Sequence, residues 1–320
     1  MARSEVILRH PPAVSGVQKQ RGAAAFIRKF GPIYLFLLPT FVLLGMFTYY
    51  PIVSAFFHSL FRWDGVHGQF VGLNNFIEMF TIDKAFANAI PNVLKLTAFR
   101  VLVAITVPVL AAELIFNLKS ARTAYFWRVF LIVPMVVPWM VLILVWFFIY
   151  DPQQGVLNTL FRAIGLPGLA RLWLGDVRSA LWSIAFYGFP WVSGLNLLIY
   201  LGGLDAIPTE LLDAAAIDGA GLARRIRHVD VPMITGQIKL ILIMTIITQL
   251  QNFQDVMVFT NGGPGLSTYV PGLVLYQSAF LYSKMGYAAA VGVVMFVVIL
   301  AITSFNMKYI QSSIDYEPQG

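Results

Sequence analysis

Long apolar stretches alternate with polar segments along the chain, and six of these stretches are long enough to cross a membrane. The hydrocarbon core of a bilayer is about 30 Å thick, so a spanning helix needs about 20 mainly apolar residues. We therefore predict six transmembrane helices, at residues 32–57, 101–118, 126–150, 180–204, 238–259 and 287–307. They form one membrane domain, residues 32–308. Residues 1–31 are predicted to be a basic, flexible tail, and residues 309–320 a second tail.

The composition supports this prediction. Hydrophobic residues make up 58% of the 320 residues and charged residues only 12%, whereas soluble domains carry about 25% charged residues. An all-α integral membrane protein is therefore predicted, and a soluble enzyme or a nucleic-acid-binding protein is nearly excluded. The chain has no cysteine, which excludes disulfide frameworks, Cys-ligated zinc and cysteine nucleophiles.

The distribution of basic residues predicts the orientation. Of the 22 Lys and Arg residues, fourteen lie in the tail at 1–31, in the connections at 119–128 and 205–239, and at Lys308 after the last span. Six lie in the connections on the opposite side. Because basic connections face the cytoplasm, both termini are expected there.

Two basic residues, Lys95 and Arg100, lie near the outer end of the second predicted span. Charged groups inside a membrane are often functional, so one interpretation places them on a substrate path. The interpretation we favour is that their long side chains reach outward to the membrane interface.

Motifs of enzymes are missing. The sequence contains no Walker A, His-Glu-x-x-His or Gly-x-Ser-x-Gly pattern, and its four histidines are scattered over different connections. We therefore predict that the chain is not an enzyme and itself binds neither a metal nor a cofactor. Glu113 and Asp255 are the only acidic residues within the predicted spans, which gives a proton relay little support.

The connection between the fourth and fifth spans has a pattern of its own. Pro208 precedes a strongly helix-forming run that Gly219 and Gly221 can end. A second short segment, at 222–229, is predicted to end before Pro232. Between residues 205 and 235 there are five acidic residues and three arginines. An interfacial helix on anionic lipid is one interpretation, but the acidic residues favour docking onto another protein subunit.

This connection resembles the EAA loop of binding-protein-dependent ABC importer permeases. The family pattern is Glu-Ala-Ala, three residues, Gly, nine residues, then Ile-x-Leu-Pro. Here it is Asp213-Ala214-Ala215, then Gly219, then Val229-Asp230-Val231-Pro232. Every spacing is kept, and the replacements conserve charge or shape. We call residues 205–235 the EAA segment.

Further stretches are similar to maltose-type sugar permeases, in the order that the family has them. They are SLFRWDGVHGQFVGLNNF from residue 59, DPQQGVLN from 151, LGGLDAIP from 201 and FTNGGP from 259. Together the resemblance covers residues 30–310.

The resemblance implies the six-helix fold of a type I ABC importer permease, in the inner (plasma) membrane of a bacterium. It implies a second permease subunit, two ATPase subunits that hold ATP and Mg, an extracytoplasmic solute-binding protein and a sugar substrate. It also implies that the EAA segment docks in a groove of the ATPase and couples ATP hydrolysis to transport. The residues expected to do so are Asp213, Ala214, Ala215, Ile217, Asp218, Gly219 and Pro232. Gly219 is expected to turn the backbone where a side chain would clash.

Polar and aromatic residues in two spans are candidates for the substrate path. Thr245, Gln249 and Asn252 recur at helical spacing in the fifth span, with Gln254 and Asp255 following. In the fourth span, Tyr187, Trp191 and Leu195 are expected to share a helical face, with Asn196 adjacent. Aromatic rings and amides suit sugars, which stack on rings and pair through hydroxyls. Contacts between helices or an aromatic belt at the membrane interface would explain the same residues.

Three functions remain open from the sequence. The first is the permease subunit of a sugar importer, for an oligosaccharide or disaccharide. The second is the same machinery importing a polyol, glycerol phosphate or polyamine, although the neutral polar stripe favours an uncharged sugar. The third is a self-sufficient channel or secondary carrier.

Overall fold

The computed structural model describes the backbone of residues 23–309 and the side chains of residues 30–308. Residues 1–22 and 310–320, which hold most of both predicted tails, lie outside this part. The chain divides into two compact units, residues 1–54 and 55–320. In the first unit, helix α1 (Ala23–Leu44) continues through a π turn at Gly45–Tyr49 to the start of α2 (Tyr50–His58).

The described part of the second unit is helical apart from one hairpin. Its strands β1 (Phe61–Trp63) and β2 (Gly68–Phe70) pair antiparallel, with Phe61 opposite Phe70. The helices, in chain order, are α3 (Asn74–Thr81), α4 (Lys84–Phe116), α5 (Ala121–Ile132), α6 (Trp139–Ile149), α7 (Val156–Ala163), α8 (Ala180–Phe186), α9 (Gly194–Asp205), α10 (Thr209–Ile217), α11 (Leu222–Arg225), α12 (Val231–Met233), α13 (Thr235–Gln251), α14 (Gln254–Phe259), α15 (Pro271–Phe280) and α16 (Met285–Tyr309).

Three of the six predicted spans correspond to continuous helices. Three stretches of continuous helix, at 30–58, 84–116 and 285–308, are long and apolar enough to cross a membrane. Three pairs of helices, bent by 67–94°, also reach this length and composition when each pair is counted as one span, although two of these pairs include helices of the EAA segment. The described residues thus provide up to six candidate spans.

The second span begins far earlier than predicted, at Lys84 instead of residue 101. Asp83 caps the helix by accepting hydrogen bonds from the backbone N–H groups of Ala85 and Phe86. Polar residues in the first half of α4 are accommodated by tertiary contacts. The side-chain amide of Asn92, for example, donates to the carbonyl of Tyr269 at 3.0 Å. Hydropathy alone does not detect such contacts.

The predicted continuous helices at 126–150, 180–204 and 238–259 are wrong in one respect, because each is interrupted. The first bends by 94° between α5 and α6, where Pro138 has an extended backbone. The second breaks over residues 187–193, which include Gly188 and the cis peptide before Pro190. The third breaks at Asn252, which ends α13 with extended dihedral angles.

Two hydrophobic clusters hold the interrupted helices together. One lies around Ile143, Tyr187 and Phe259 and joins α4, α6, α8, α13 and α14. The other lies around Leu197, Tyr200 and Ile241 and joins α4, α9 and α13. The core of the second unit therefore surrounds the positions at which the helices break.

Candidate functional site

Side chains at the three helix interruptions converge on one carboxylate, that of Asp255. The indole N–H of Trp139, the first residue of α6, donates to its Oδ1 at 2.8 Å. The side-chain amide of Asn252 donates to its Oδ2 at 2.7 Å. The side chain of Tyr187, at the end of α8, lies close to this carboxylate. We call Trp139, Tyr187, Asn252 and Asp255 the polar cluster.

This arrangement joins three separate spans through polar side chains. Asp255 is only 6% exposed, and a buried carboxylate is tolerated when donors satisfy its oxygens. Non-helical backbone at membrane depth occurs where it is buried in protein or lines a cavity, and interrupted helices often form the binding sites of transporters. The polar cluster is therefore the strongest candidate for a substrate-contacting region.

Arg100 does not reach outward, and the expectation that it does so is wrong. It lies near the middle of α4, and its guanidinium donates to the carbonyls of Tyr187 at 3.3 Å and Ile184 at 3.2 Å. It also stacks 4.6 Å from the centre of the Tyr187 ring. The last carbonyls of a helix have no partner within it, so Arg100 stabilises the end of α8. Lys95 is exposed.

The helical face predicted for Tyr187, Trp191 and Leu195 is also wrong. Tyr187 and Trp191 lie in the break between α8 and α9, and Trp191 has a φ of +60°. The Trp191 ring packs against Phe99, Phe186 and Phe189 at centroid distances of 4.7–5.6 Å, and its N–H donates to the carbonyl of Phe186. Tyr187 thus joins the polar cluster, whereas Trp191 belongs to an aromatic group beside it.

The other expected path residues are divided between helices. Thr245 and Gln249 are half-buried on α13. Asn252 is not on their helix, because α13 ends at Gln251. Leu195 and Asn196 lie in the first turn of α9, and Gln254 is exposed at the start of α14.

Sequence reasoning missed Trp139, and for Arg100 it favoured the wrong one of two interpretations. The Pro-Trp pair at 138–139 inside an apolar run was a detectable signal, since proline often marks a helix boundary. A charge within a membrane helix was the other signal. Among residues 23–309, no three His, Asp or Glu side chains lie close enough to hold a metal ion.

The EAA segment folds as two short helical pieces joined by a tight turn. Helix α10 ends at Ile217, and Gly219, two residues further on, has a φ of +68°. The N–H of Gly219 bonds to the carbonyl of Ala216, and that of Ala220 to Ala215. These are the hydrogen bonds of a Schellman turn, in which glycine is favoured because its φ is positive. An added Cβ at Gly219 would meet no atom of this chain within 4 Å, so the expected clash is absent here.

Beyond this turn, the helix does not end before Pro232 as predicted. It runs from α11 through a π turn at Ile226–Asp230 into α12, and Pro232 lies in the first turn of α12. The preceding π turn interrupts the regular hydrogen-bond ladder of the helix, and a proline, which has no N–H to donate, is tolerated there.

The EAA segment presents an exposed surface with apolar and charged parts. Ile217 is 86% exposed, and Leu211 is exposed as well. Asp213, Ala214 and Asp218 are exposed, whereas Ala215 is buried. Beside them lies a depression of about 470 Å³, which includes Arg224 and His228 in its lining.

The sequence was then compared with known proteins. The family model "binding-protein-dependent transport system inner membrane component" matches residues 104–316, which include the whole EAA segment. The chain belongs to this family. It is an ABC transporter permease, a transport subunit and a multi-pass membrane protein.

Two relatives illustrate the similarity. The probable ABC transporter permease protein YurN of Bacillus subtilis (strain 168) is 34% identical over 282 residues, covering 87% of this chain and 96% of its own. The diacetylchitobiose uptake system permease protein NgcF of Streptomyces coelicolor is 31% identical over 316 residues, covering 94% and 88%.

A solved structure shares the fold. It is a chain of a bacterial ABC transporter involved in the import of the acidic polysaccharide alginate. The TM-score is 0.79 at 21% identity, with 89% of this chain and 96% of that chain covered. The prediction of an ABC importer permease fold is confirmed. The site residues of this permease stay predictions.

Proposed function

We propose that this permease is one of two membrane subunits of an ATP-driven importer for a disaccharide or oligosaccharide. The observation that carries the proposal is the polar cluster at three helix interruptions, in a chain of this family. Aromatic rings beside amide and carboxylate groups suit the C–H faces and hydroxyls of a sugar. The names of NgcF and of the arabinooligosaccharides permease AraP of Bacillus subtilis, 28% identical over 303 residues, support a saccharide substrate.

Partners follow from the same proposal. A second permease completes the path, an extracytoplasmic solute-binding protein delivers the sugar, and two ATPase subunits hold ATP and Mg. Ile217, Leu211 and the exposed residues Asp213, Ala214 and Asp218 provide the surface that docks on the ATPase. The excess of basic residues in the tails and the EAA-side connections supports cytoplasmic termini.

A second candidate substrate is a phosphorylated polyol. It is favoured by Arg100, a cation near the polar cluster, and by the sn-glycerol-3-phosphate permease UgpA of Agrobacterium fabrum, 27% identical over 289 residues. Against it, the guanidinium already binds two carbonyls and a ring. Asp255 also places a carboxylate in the same region, where it would repel a phosphate.

Transport by the complete complex in proteoliposomes tests the proposal. We expect uptake of a labelled disaccharide such as diacetylchitobiose or of a short oligosaccharide, dependent on ATP and binding protein, and no uptake of labelled glycerol 3-phosphate. Uptake of glycerol 3-phosphate alone would favour the second candidate. Transport by the chain without an ATPase would contradict both and indicate a channel or carrier.

Substitutions in the polar cluster test the path itself. Asp255→Asn and Asn252→Ala each remove a hydrogen bond to a charged group, worth about 1.5–3 kcal/mol. We expect kcat/KM for uptake to fall about tenfold or more in each, with normal amounts of assembled complex. The control is Asn88→Ala, which makes the same change as Asn252→Ala at an exposed position of α4 outside the polar cluster and should leave uptake unchanged. Unchanged uptake in both cluster variants would remove the cluster from the path.

A further inference from the structure

One arginine of the EAA segment points inward, unlike its basic neighbours. Arg224, Arg227 and His228 are exposed, whereas the side chain of Arg225 is only 21% exposed. Its Nε donates to Oδ2 of Asp230 at 3.1 Å, and Asp230 is fully buried. A buried carboxylate is tolerated when a charged donor binds it. Arg225 therefore stabilises the charge of Asp230.

The π turn of the EAA segment brings these two residues together. Side chains three or four residues apart are neighbours on an α-helix, but Arg225 and Asp230 are five apart. The turn at Ile226–Asp230 is closed by a hydrogen bond from the N–H of Val231 to the carbonyl of Ile226. A turn of this width places residues five apart on one side of the helix, and π turns are frequent at functional sites. The ion pair thus depends on the π turn.

The same guanidinium also reaches the end of the second span. Its Nη2 donates to Oδ1 of Asn117, the residue that follows α4. The side-chain amide of Asn117 donates in turn to the carbonyl of Glu113 at 2.8 Å, and the guanidinium lies 5.8 Å from the centre of the Phe116 ring. A planar guanidinium can bind two acceptors in fixed directions. We call Asn117, Arg225 and Asp230 the arginine bridge.

The arginine bridge matters because the EAA segment is bent at both ends. The chain bends by 71° between α9 and α10, and by 67° between the helical piece that ends at Met233 and α13. Ile207 and Ile234, near these bends, lie in the hydrophobic cluster around Leu197, but apolar burial has no preferred direction. Charge-assisted hydrogen bonds of a guanidinium do have one. The arginine bridge therefore fixes the angle between the segment and the end of the second span.

We propose that Arg225 is a positioning residue that transmits movement of the EAA segment to the second span. The inference rests on the proposed function, because it needs an ATPase that moves the segment. With the arginine bridge intact, displacement of the segment also displaces the end of α4, to which the segment has no direct covalent connection. Without it, the segment pivots at its two bends and the second span stays behind, so ATP is hydrolysed with less transport.

Asn117→Ala tests this role, because it removes the contact with the second span and leaves the pair of Arg225 and Asp230 in place. In the complete complex, we expect ATP hydrolysis at the normal rate and a ratio of sugar transported to ATP hydrolysed that is about tenfold lower. Asn88→Ala is the matched control. Asn88 is an exposed residue of α4 whose amide also donates to a carbonyl four residues back, at 2.8 Å. Its replacement should leave the ratio unchanged, and an equally unchanged ratio for Asn117→Ala would overturn the proposal.

A double-mutant cycle separates positioning from a purely structural effect. Arg225→Met together with Asp230→Asn removes the ion pair without leaving a buried charge, so we expect a normal amount of complex and the same low ratio. Adding Asn117→Ala to these two substitutions should change the ratio no further, because the contact is already absent. A second fall of similar size would show that Asn117 acts independently of Arg225 and would contradict the proposal. Equal losses of transport and ATP hydrolysis would contradict it as well.

Amide hydrogen exchange of the full chain without partners keeps this inference separate from the proposed function. In detergent, Asn117→Ala should speed exchange at residues 222–230 about tenfold, because the segment loses its attachment to the second span. Asn88→Ala should not change it. Unchanged exchange in Asn117→Ala would show that the arginine bridge does not hold the segment. If the unsubstituted complex transported no sugar, the proposed function would be wrong, whereas the exchange result would still stand.

Discussion

Asp255 places a carboxylate among apolar helices, where an unpaired charge is strongly destabilising. Its oxygens accept hydrogen bonds from Trp139 and Asn252, and Tyr187 lies nearby. Loss of the carboxylate would leave these buried donors without an acceptor, at about 1–3 kcal/mol each. Single residues thus hold the ends of three different helices in register, and a bound sugar would meet groups whose positions are already fixed.

Gly219 leads to a prediction about the EAA segment. Gly219→Ala places a Cβ at a φ of +68°, which costs an L-residue about 1–2 kcal/mol. We expect amide hydrogen exchange in α10 to become about tenfold faster and substrate-stimulated ATPase activity of the complex to fall. Both quantities can be measured on the purified complex.

The control for this prediction is two residues away. Gly221 has a φ of −66°, and a Cβ there would also meet no atom within 4 Å. Gly221→Ala makes the same chemical change without backbone strain, so exchange in α10 should stay as in the original protein. Equal effects of the two substitutions would show that the backbone conformation of Gly219 is not what matters.

At the scale of helices, the positions of the spans could be predicted but their interruptions could not. Apolar length locates a span because the bilayer sets it. It does not show that 180–204 breaks at residues 187–193, since the surrounding residues are equally apolar. The periodicity argument for Tyr187 and Trp191 failed for this reason, because it assumed a continuous helix. Pro138 and Pro190 gave some warning, whereas the end of α13 before Asn252 had no such signal.

The hairpin and α16 provide a prediction about how elements pack. A Cβ at Gly286, in the first turn of α16, would lie 1.9 Å from the backbone carbonyl oxygen of Phe61 in β1. Gly286→Ala therefore forces the hairpin away from the helix, and such overpacking costs about 1–3 kcal/mol. We expect a lower Tm for the purified chain in detergent and faster hydrogen exchange at residues 61–70.

Gly292, on the same helix, serves as the comparison. A Cβ there would lie 3.4 Å from a methyl group of Leu275, which is ordinary contact. Gly292→Ala should leave the Tm and the exchange of the hairpin nearly unchanged. If Gly286→Ala were equally neutral, the hairpin would not rest on the start of α16.

For the whole molecule, composition and motif spacing were enough to predict the class of protein. The low charge content indicated a membrane protein, and the spacing of Asp213, Gly219 and Pro232 indicated the family that the comparisons confirm. Contacts between distant parts of the chain were beyond such reasoning. Arg100 meets Tyr187, and Arg225 meets Asn117, only because α4 and the residue after it pack against α8 and the EAA segment. A single sequence contains no signal for those pairs.

The orientation of the molecule in the membrane can be tested by cysteine labelling, because the chain has no cysteine of its own. Each introduced cysteine is then the one thiol of the chain. Val66, in the hairpin turn, is 82% exposed, and Ile217 is exposed on α10. If the termini are cytoplasmic, a membrane-impermeant maleimide should label Val66→Cys in intact cells. It should label Ile217→Cys only after the membrane is permeabilised. The control Lys119→Cys, which is predicted to lie on the same side, should behave in the same way.

Labelling of Ile217→Cys also reports on docking, because an exposed isoleucine is stabilised when a partner covers it. Co-expression of the ATPase should slow its labelling in permeabilised membranes and leave Lys119→Cys as reactive as before. Labelling of Ile217→Cys in intact cells would reverse the orientation derived from the basic residues. If Ile217→Cys is labelled only in permeabilised membranes and the ATPase does not change the rate, the orientation is correct but α10 is not part of the docking surface. The experiment therefore separates the two inferences, which the sequence alone had joined.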